Sequence, residues 1–229
     1  MQLKEILDEI IRIGIKYPEY AVGSLIPILP LGVGIYRRKY STKSSKFILF
    51  FIIIFIVSDI PLWVTTALDI HNLTYVYTRT FGIYTCLLLV YFIGTTKKSD
   101  KYILFSFLFV MTLGLILQIF GLIKKGQYTW VYGFLLGSVS VWYFVRLINY
   151  PKIKDLLTYP FFWFNTGVLF YCFSTLLIYF FFQFSITTEI KTQTYFLFRS
   201  ILEYLTSVMF VLFAIGFWNL KNNAQINTK

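Results

Sequence analysis

The sequence predicts an all-α integral membrane protein: a bundle of seven transmembrane helices, N-terminus outside and C-terminus cytoplasmic, preceded by a short interfacial amphipathic helix. Three observations predict it. Of 229 residues, 58% are hydrophobic and 14% charged, whereas a soluble domain carries about 25% charged residues. Seven apolar stretches recur along the chain, each near the roughly 20 residues a spanning helix needs. Basic residues concentrate in alternate connecting segments, as the positive-inside rule requires of a multi-pass protein.

The elements follow in order. In residues 1–17, Leu3, Ile6, Leu7, Ile10 and Ile11 recur at helical spacing, while Lys4, Glu5, Asp8, Glu9 and Arg12 fall mostly elsewhere around the helix. That pattern predicts a helix lying on the outer leaflet as an anchor; a lid over the bundle mouth is the functional alternative. The segment lacks the apolar core of a cleavable signal, so targeting is expected from the first spanning helix. Pro18 ends it. Residues 18–221 form the bundle, with spans near Tyr20–Tyr36, Phe47–Leu68, Leu73–Thr95, Tyr102–Ile123, Thr129–Ile148, Pro160–Phe184 and Tyr195–Leu220. Runs such as Phe47–Val57 do not alternate, which excludes barrel strands. Residues 222–229 read as a polar cytoplasmic tail, with no kinase, cyclase or ATPase module and no P-loop expected on the chain.

Charge gives the bundle a direction. Arg37, Arg38, Lys39, Lys43, Lys46, Lys97, Lys98, Lys101, Arg146, Lys152, Lys154, Lys221 and Lys229 fall on one side, with Asp100 and Asp155 as the only acids there. Charges on the other side balance, and so do the four inside the spans. The whole net charge of +11 therefore faces the cytoplasm. Spread over short loops, these cations suit lipid headgroups, and nucleic acid is not an expected partner.

Ionisable groups at membrane depth cost roughly 2.5–3.5 kcal/mol each on insertion scales, so they are candidate site residues. Asp59, Arg79, Arg199 and Glu203 all fall in the outer half of the bilayer, with Gln118 and His71 at similar or shallower depth. Arg199 and Glu203 are spaced i,i+4 and can pair; Asp59 and Arg79 form a second possible pair. Either these are structural ion pairs or they line a polar pocket open to the outside. A relay through the membrane lacks an acid in the inner half. His71 is the only histidine and Cys86 and Cys172 lie inside apolar runs. No metal site, cofactor, disulfide framework, serine triad or paired intramembrane aspartates is expected, and the protein is not expected to be an enzyme.

Pro27, Pro30 and Pro61 permit kinks, the last beside Asp59. Gly133 and Gly137 form a GxxxG with Ser140 on nearly the same face, which suits close helix contact within the bundle or between protomers. Trp63, Trp130, Trp163 and Trp218 sit at span ends as an interfacial belt. The mid-span runs Phe161–Phe164 and Phe180–Phe182 read as lipid-facing filler.

Seven spans in this orientation are similar to the rhodopsin-like receptors, but the seventh has no lysine to carry retinal. The PQ-loop transporters' Pro-Gln signature is absent. Tyr159–Tyr171 and Phe210–Trp218 resemble a family of small seven-helix bacterial inner-membrane proteins with no assigned catalytic residues. That resemblance implies a sensory or accessory subunit beside a membrane-protein partner or in a homo-oligomer. A small solute transporter and a purely structural subunit are the alternatives. The orientation predicts that a cysteine at Ser44 is shielded from an impermeant thiol reagent in intact cells; ready labelling from outside reverses it.

Overall fold

The computed structural model describes residues 3–70, 73–95, 97–122, 129–149, 155–186 and 192–221, leaving aside the side chains of 3, 73, 74, 77, 129, 179, 181–186 and 192–199. These residues are helical, with no strand among them. Six helices are long and apolar enough to cross a bilayer: Pro18–Tyr36, Lys43–Ala67, Lys98–Ile119, Trp130–Ile148, Pro160–Ile178 and Ser200–Trp218. Thr78–Gly94 is a shorter apolar helix. The chain is thus a multi-pass helical membrane protein.

Helix α1 (Leu3–Lys16) carries its apolar residues in a broad arc. Ile6, Ile10 and Ile13 are half-buried, whereas Leu7, Ile11 and Ile15 are exposed. The arc is therefore split, one half toward the bundle and the other outward. Arg12 donates to Glu9 at 2.7 Å on the polar face, and that carboxylate raises the Arg12 guanidinium above its ordinary pKa. Pro18 occupies the first turn of α2 (Pro18–Leu25), where its missing N–H leaves no bond unmade. The first span then breaks at Ile26 and Pro27 before α3 (Ile28–Tyr36). Pro27 and Pro30 donate nothing, and the turn tightens so that Leu29 N–H meets the Ile26 carbonyl at 3.0 Å.

Helix α4 (Lys43–Ala67) begins a turn earlier than the apolar run suggests. The Thr42 hydroxyl caps it, accepting from Ser45 N–H at 3.2 Å. Lys43 and Lys46 thus lie on the helix, with chains long enough to reach the headgroups. Ser44 is buried, beside Gly94, so the topology experiment belongs at exposed Lys43, with half-buried Cys86 replaced to remove background.

The remaining helices are α5 (Leu73–Gly94), α6 (Lys98–Ile119), α7 (Thr129–Ile148), α8 (Pro160–Ile186) and α9 (Thr192–Trp218). Their contacts run in a closed ring: α3 to α4, α4 to α5, α5 to α7, α7 to α8, α8 to α9, and α9 back to α2 and α3. Helix α6 stands outside it against α5 and α7, and exposes Tyr102, Phe105, Phe109 and Ile119. Helix α1 packs on α4 and α2. The GxxxG face of α7 is internal: a Cβ at Gly133 would sit 3.4 Å from Leu176, and one at Gly137 would sit 3.5 Å from Cys172, both on α8.

Two features hold the ring. The first is aromatic: Phe51 and Phe55 from α4, Phe164 from α8, and Phe210, Phe213 and Phe217 from α9 are almost wholly buried. Phe55 and Phe210 meet edge to face at 4.8 Å, and Phe164 and Phe217 at 4.9 Å. Phe164 therefore belongs to the core, and the filler expectation for its run fails there; Phe180 is exposed. An aromatic run has no period that separates the two roles. The second feature is a polar knot. Tyr91 of α5 donates to Asn165 Oδ1 at 2.6 Å, Ser140 of α7 donates to the same oxygen at 2.8 Å, and Asn165 Nδ2 returns a bond to the Ser140 carbonyl at 3.0 Å. Ser140 is thus a hydrogen-bonding residue as well as a small one.

Asn165→Leu should take from the buried Tyr91 and Ser140 hydroxyls their shortest acceptor, leaving only the longer bonds to Ser140 Oγ at 3.3 Å and to the residue-165 carbonyl at 3.2 Å, and lower stability by about 1–3 kcal/mol. Gly216→Ala should cost about 1–3 kcal/mol by overpacking, because its Cβ would lie 2.6 Å from the buried Phe164 ring. Unfolding in mixed micelles reads both.

Candidate ligand-binding site

The site grows from Pro61. Its ring offers no N–H to the Val57 carbonyl one turn back, and the helix nevertheless runs on through it to Ala67. Thr65 and Thr66 donate to the Pro61 and Leu62 carbonyls, each at 2.7 Å. From α5, Tyr75 donates to the Ser58 carbonyl at 2.7 Å. Arg79 lies one turn further along the same face of α5. Its Nε donates to Ser58 Oγ at 3.0 Å, and Nη2 binds the Asp59 carboxylate. The guanidinium carbon lies 4.5 Å from the centre of the Phe55 ring. Only 17% of the Arg79 side chain and 14% of the Asp59 side chain are exposed, so each charge relies on the other.

This pair forms one wall of a cavity of about 270 Å³. Ile13 and Tyr17 come from α1 and its end, Tyr20 and Ser24 from α2, Leu62, Trp63 and Thr66 from α4, and Glu203 from α9. Helix α1 therefore roofs the space as well as lying beside it. Trp63 Nε1 donates to Ser24 Oγ at 2.9 Å, tying α4 to α2. Ser200 donates to Glu19 Oε1 at 2.9 Å, tying α9 to α2. Gly23 is buried, and a Cβ there would lie 2.5 Å from Glu203 Oε2. Its missing side chain is what lets the carboxylate reach the wall. Behind the pair, Phe55 packs on Arg79 and on Phe210 of α9.

Of the predicted site residues, Asp59, Arg79 and Glu203 share this cavity. The backbone of Arg199 lies on α9, but its side chain falls outside the described residues, as does all of His71. The pairing of Arg199 with Glu203 is likewise outside them. Gln118 is buried on α6 and lines no part of the cavity; among the described residues its amide nitrogen has no hydrogen-bond partner. Shared depth did not mean a shared wall, because α6 stands outside the ring. Tyr17, Tyr20, Ser24 and Trp63 were not legible as site residues: Trp63 looked like a belt residue, and the others lie where α1 folds back. At the opposite end, Arg146 on α7 binds Asp100 on α6 at 2.5 Å, and Arg37 stacks 4.5 Å from the Trp218 ring. Among the described residues no group of three or more His, Cys, Asp or Glu side chains is placed to hold a metal.

No protein-family model, curated protein or solved structure matches the chain.

Truncating one partner of a buried ion pair costs about 3–5 kcal/mol. Asp59→Ala and Arg79→Ala should each approach that loss, and the double variant should lose much less than their sum. A double-mutant cycle read by unfolding in micelles measures the coupling; additive losses mean the two charges do not depend on each other.

Proposed function

We propose that this is a seven-span receptor or accessory subunit of the bacterial inner membrane, whose outward cavity binds a small ligand under α1 and biases a membrane-protein partner. The cavity carries the reading. It joins charged groups from three parts of the ring with a roof that is half anchored to the bundle and half turned outward. Helix α5 completes the seven: its 22 residues make about 33 Å at 1.5 Å per residue, long enough for a hydrocarbon core of about 30 Å. With the basic loops cytoplasmic, α1 lies on the outer leaflet and Leu7, Ile11 and Ile15 enter the lipid boundary.

Transport would use the same cavity but needs a way onward. The Phe51, Phe55, Phe210 and Phe213 cluster lies across that path, fully packed, which favours binding without passage. The subunit then acts through contacts with a partner or a second copy.

Thr66→Trp brings a bulky ring to the exposed rim of the cavity while leaving both members of the ion pair unchanged. The expected outcome is normal insertion with a changed set of proteins co-purified from native membranes by crosslinking. An unchanged set means the cavity does not control assembly and returns the chain to a structural role. Solute flux in proteoliposomes that Thr66→Trp abolishes would favour the transporter instead.

A further inference from the structure

We infer that a pocket between α6 and α7, at the end opposite the α1-roofed cavity, holds the headgroup of an anionic phospholipid. The apolar spans Lys98–Ile119 and Trp130–Ile148 run in opposite directions, so Lys97 and Arg146 meet at one membrane boundary. Lys97, Asp100, Trp142, Val145 and Arg146 border a space of about 230 Å³ there. Helix α6 stands outside the ring, which puts this pocket on the outer surface of the bundle. Arg146 binds Asp100 at 2.5 Å and so bridges the two helices. Its guanidinium carbon stands 5.6 Å from the centre of the Trp142 ring, one turn inward on α7.

Charge selects an anion. Asp100 is engaged by Arg146, and among the described residues Lys97 makes no ion pair, which leaves the wall one positive charge in excess. No other acidic side chain is placed to cancel it. Asp155, the second acid at this end, accepts from Leu157 N–H at 3.0 Å. Glu189 is the one acid outside the described residues, and in sequence it falls between α8 and α9, at the other end of the bundle. Segments 96, 150–154 and 222–229, which adjoin the basic end in sequence, bring only Lys152, Lys154 and Lys229 as charged side chains. A headgroup with one net negative charge matches the surplus. A zwitterionic headgroup carries the same phosphate but brings its own cation toward Lys97.

The outward wall suits a lipid more than a soluble anion. Phe134, Val141 and Val145 are exposed on α7 and, with Ser138, recur at helical spacing along one face. The Ser138 hydroxyl is turned back to the Phe134 carbonyl at 2.9 Å, so its hydrogen bond is met within the helix. The row starts in the pocket at Val145 and leads into the apolar span, the course of an acyl chain below its headgroup. Trp142 at the head of the row suits the interfacial ester region. Lys97 supplies an ammonium, and Arg146 the guanidinium N–H groups beyond the one on Asp100; both are donors to phosphate. An apolar cavity of about 150 Å³ holds benzene, so about 230 Å³ accommodates a phosphate and its glycerol.

The experiment titrates the full-length protein in non-ionic micelles with dioleoyl phosphatidylglycerol or dioleoyl phosphatidylcholine at physiological ionic strength, and counts bound lipids by native mass spectrometry. The first phosphatidylglycerol should bind about fivefold or more tighter than the first phosphatidylcholine. Lys97→Gln should weaken that binding about fivefold. Lys39→Gln removes the same charge from an exposed residue at the same end but outside the pocket, and should change it by less than about twofold, because salt screens remote charges. The comparison of the two lipids uses the unaltered chain, so a variant that fails to fold does not decide the matter. Equal binding of the two lipids overturns the proposal. An equal response of the two variants also overturns it, since attraction is then spread over the whole basic end. Displacement of the lipid by an equal concentration of glycerol 3-phosphate overturns the lipid and marks a site for a soluble phosphate compound.

Discussion

Hydrocarbon offers no hydrogen bonds, and every polar group placed in it has to find a partner within the protein. That constraint runs through the whole architecture. It makes the chain helical, since a helix satisfies its own backbone. It sends serine and threonine hydroxyls back to carbonyls a turn earlier, as at Thr80, Thr112, Ser138, Thr166 and Thr206. Beside Pro61, Thr65 bonds back to the Pro61 carbonyl in the same way, and Tyr75 reaches the Ser58 carbonyl from α5. The ion pair beside Pro61 follows from it too: neither Asp59 nor Arg79 is tolerable alone at that depth.

The two ends of the bundle meet the constraint differently. Toward the basic face, Tyr91, Ser140 and Asn165 close on one another with good geometry and full burial. A satisfied buried network of that kind fixes three helices in one arrangement. At the α1 end the polar groups line a space instead. Asp59, Arg79 and Glu203 are held by specific bonds or by a missing side chain at Gly23, yet they border a cavity. Between the two lies the phenylalanine core of α4, α8 and α9. Polar groups therefore satisfy one another at one end and border open space at the other.

Much of the fold was legible because lipid imposes a simple code. Apolar length marked the six long apolar helices, Pro18 marked where α1 ends, and the kink allowed at Pro27 falls where the first span breaks. Helix starts were less visible, because Lys43, Lys46, Lys98 and Lys101 looked like loop residues and are helical; long cationic chains reach water from inside a helix. Depth drew together Asp59, Arg79 and Glu203, which line one cavity, and also Gln118, which lines no part of it. Which helices adjoin is a property of the ring, and no local pattern encodes it. For the same reason Asn165 passed unnoticed: one amide in an aromatic run carries no sign of its partners on α5 and α7. The site aromatics were hidden by the fold-back of α1, a tertiary event.

That fold-back also explains why the apolar residues of α1 face two ways. The apolar arc of α1 is too wide for a single surface. Ile6, Ile10 and Ile13 bury part of their area against the ring, while Leu7, Ile11 and Ile15 remain turned outward. Fully burying an aliphatic side chain is worth about 1.5–3 kcal/mol, so the two halves of the arc pull with comparable strength. A helix gripped on both sides by similar forces can shift between bundle and lipid at modest net cost. Ile13 and Tyr17 line the cavity from that helix and the residue that ends it, so whatever occupies the cavity adds its contacts to one side of this balance. Under the proposed receptor function, a ligand's contacts would act on this balance through Ile13 and Tyr17, and a small difference in free energy would suffice.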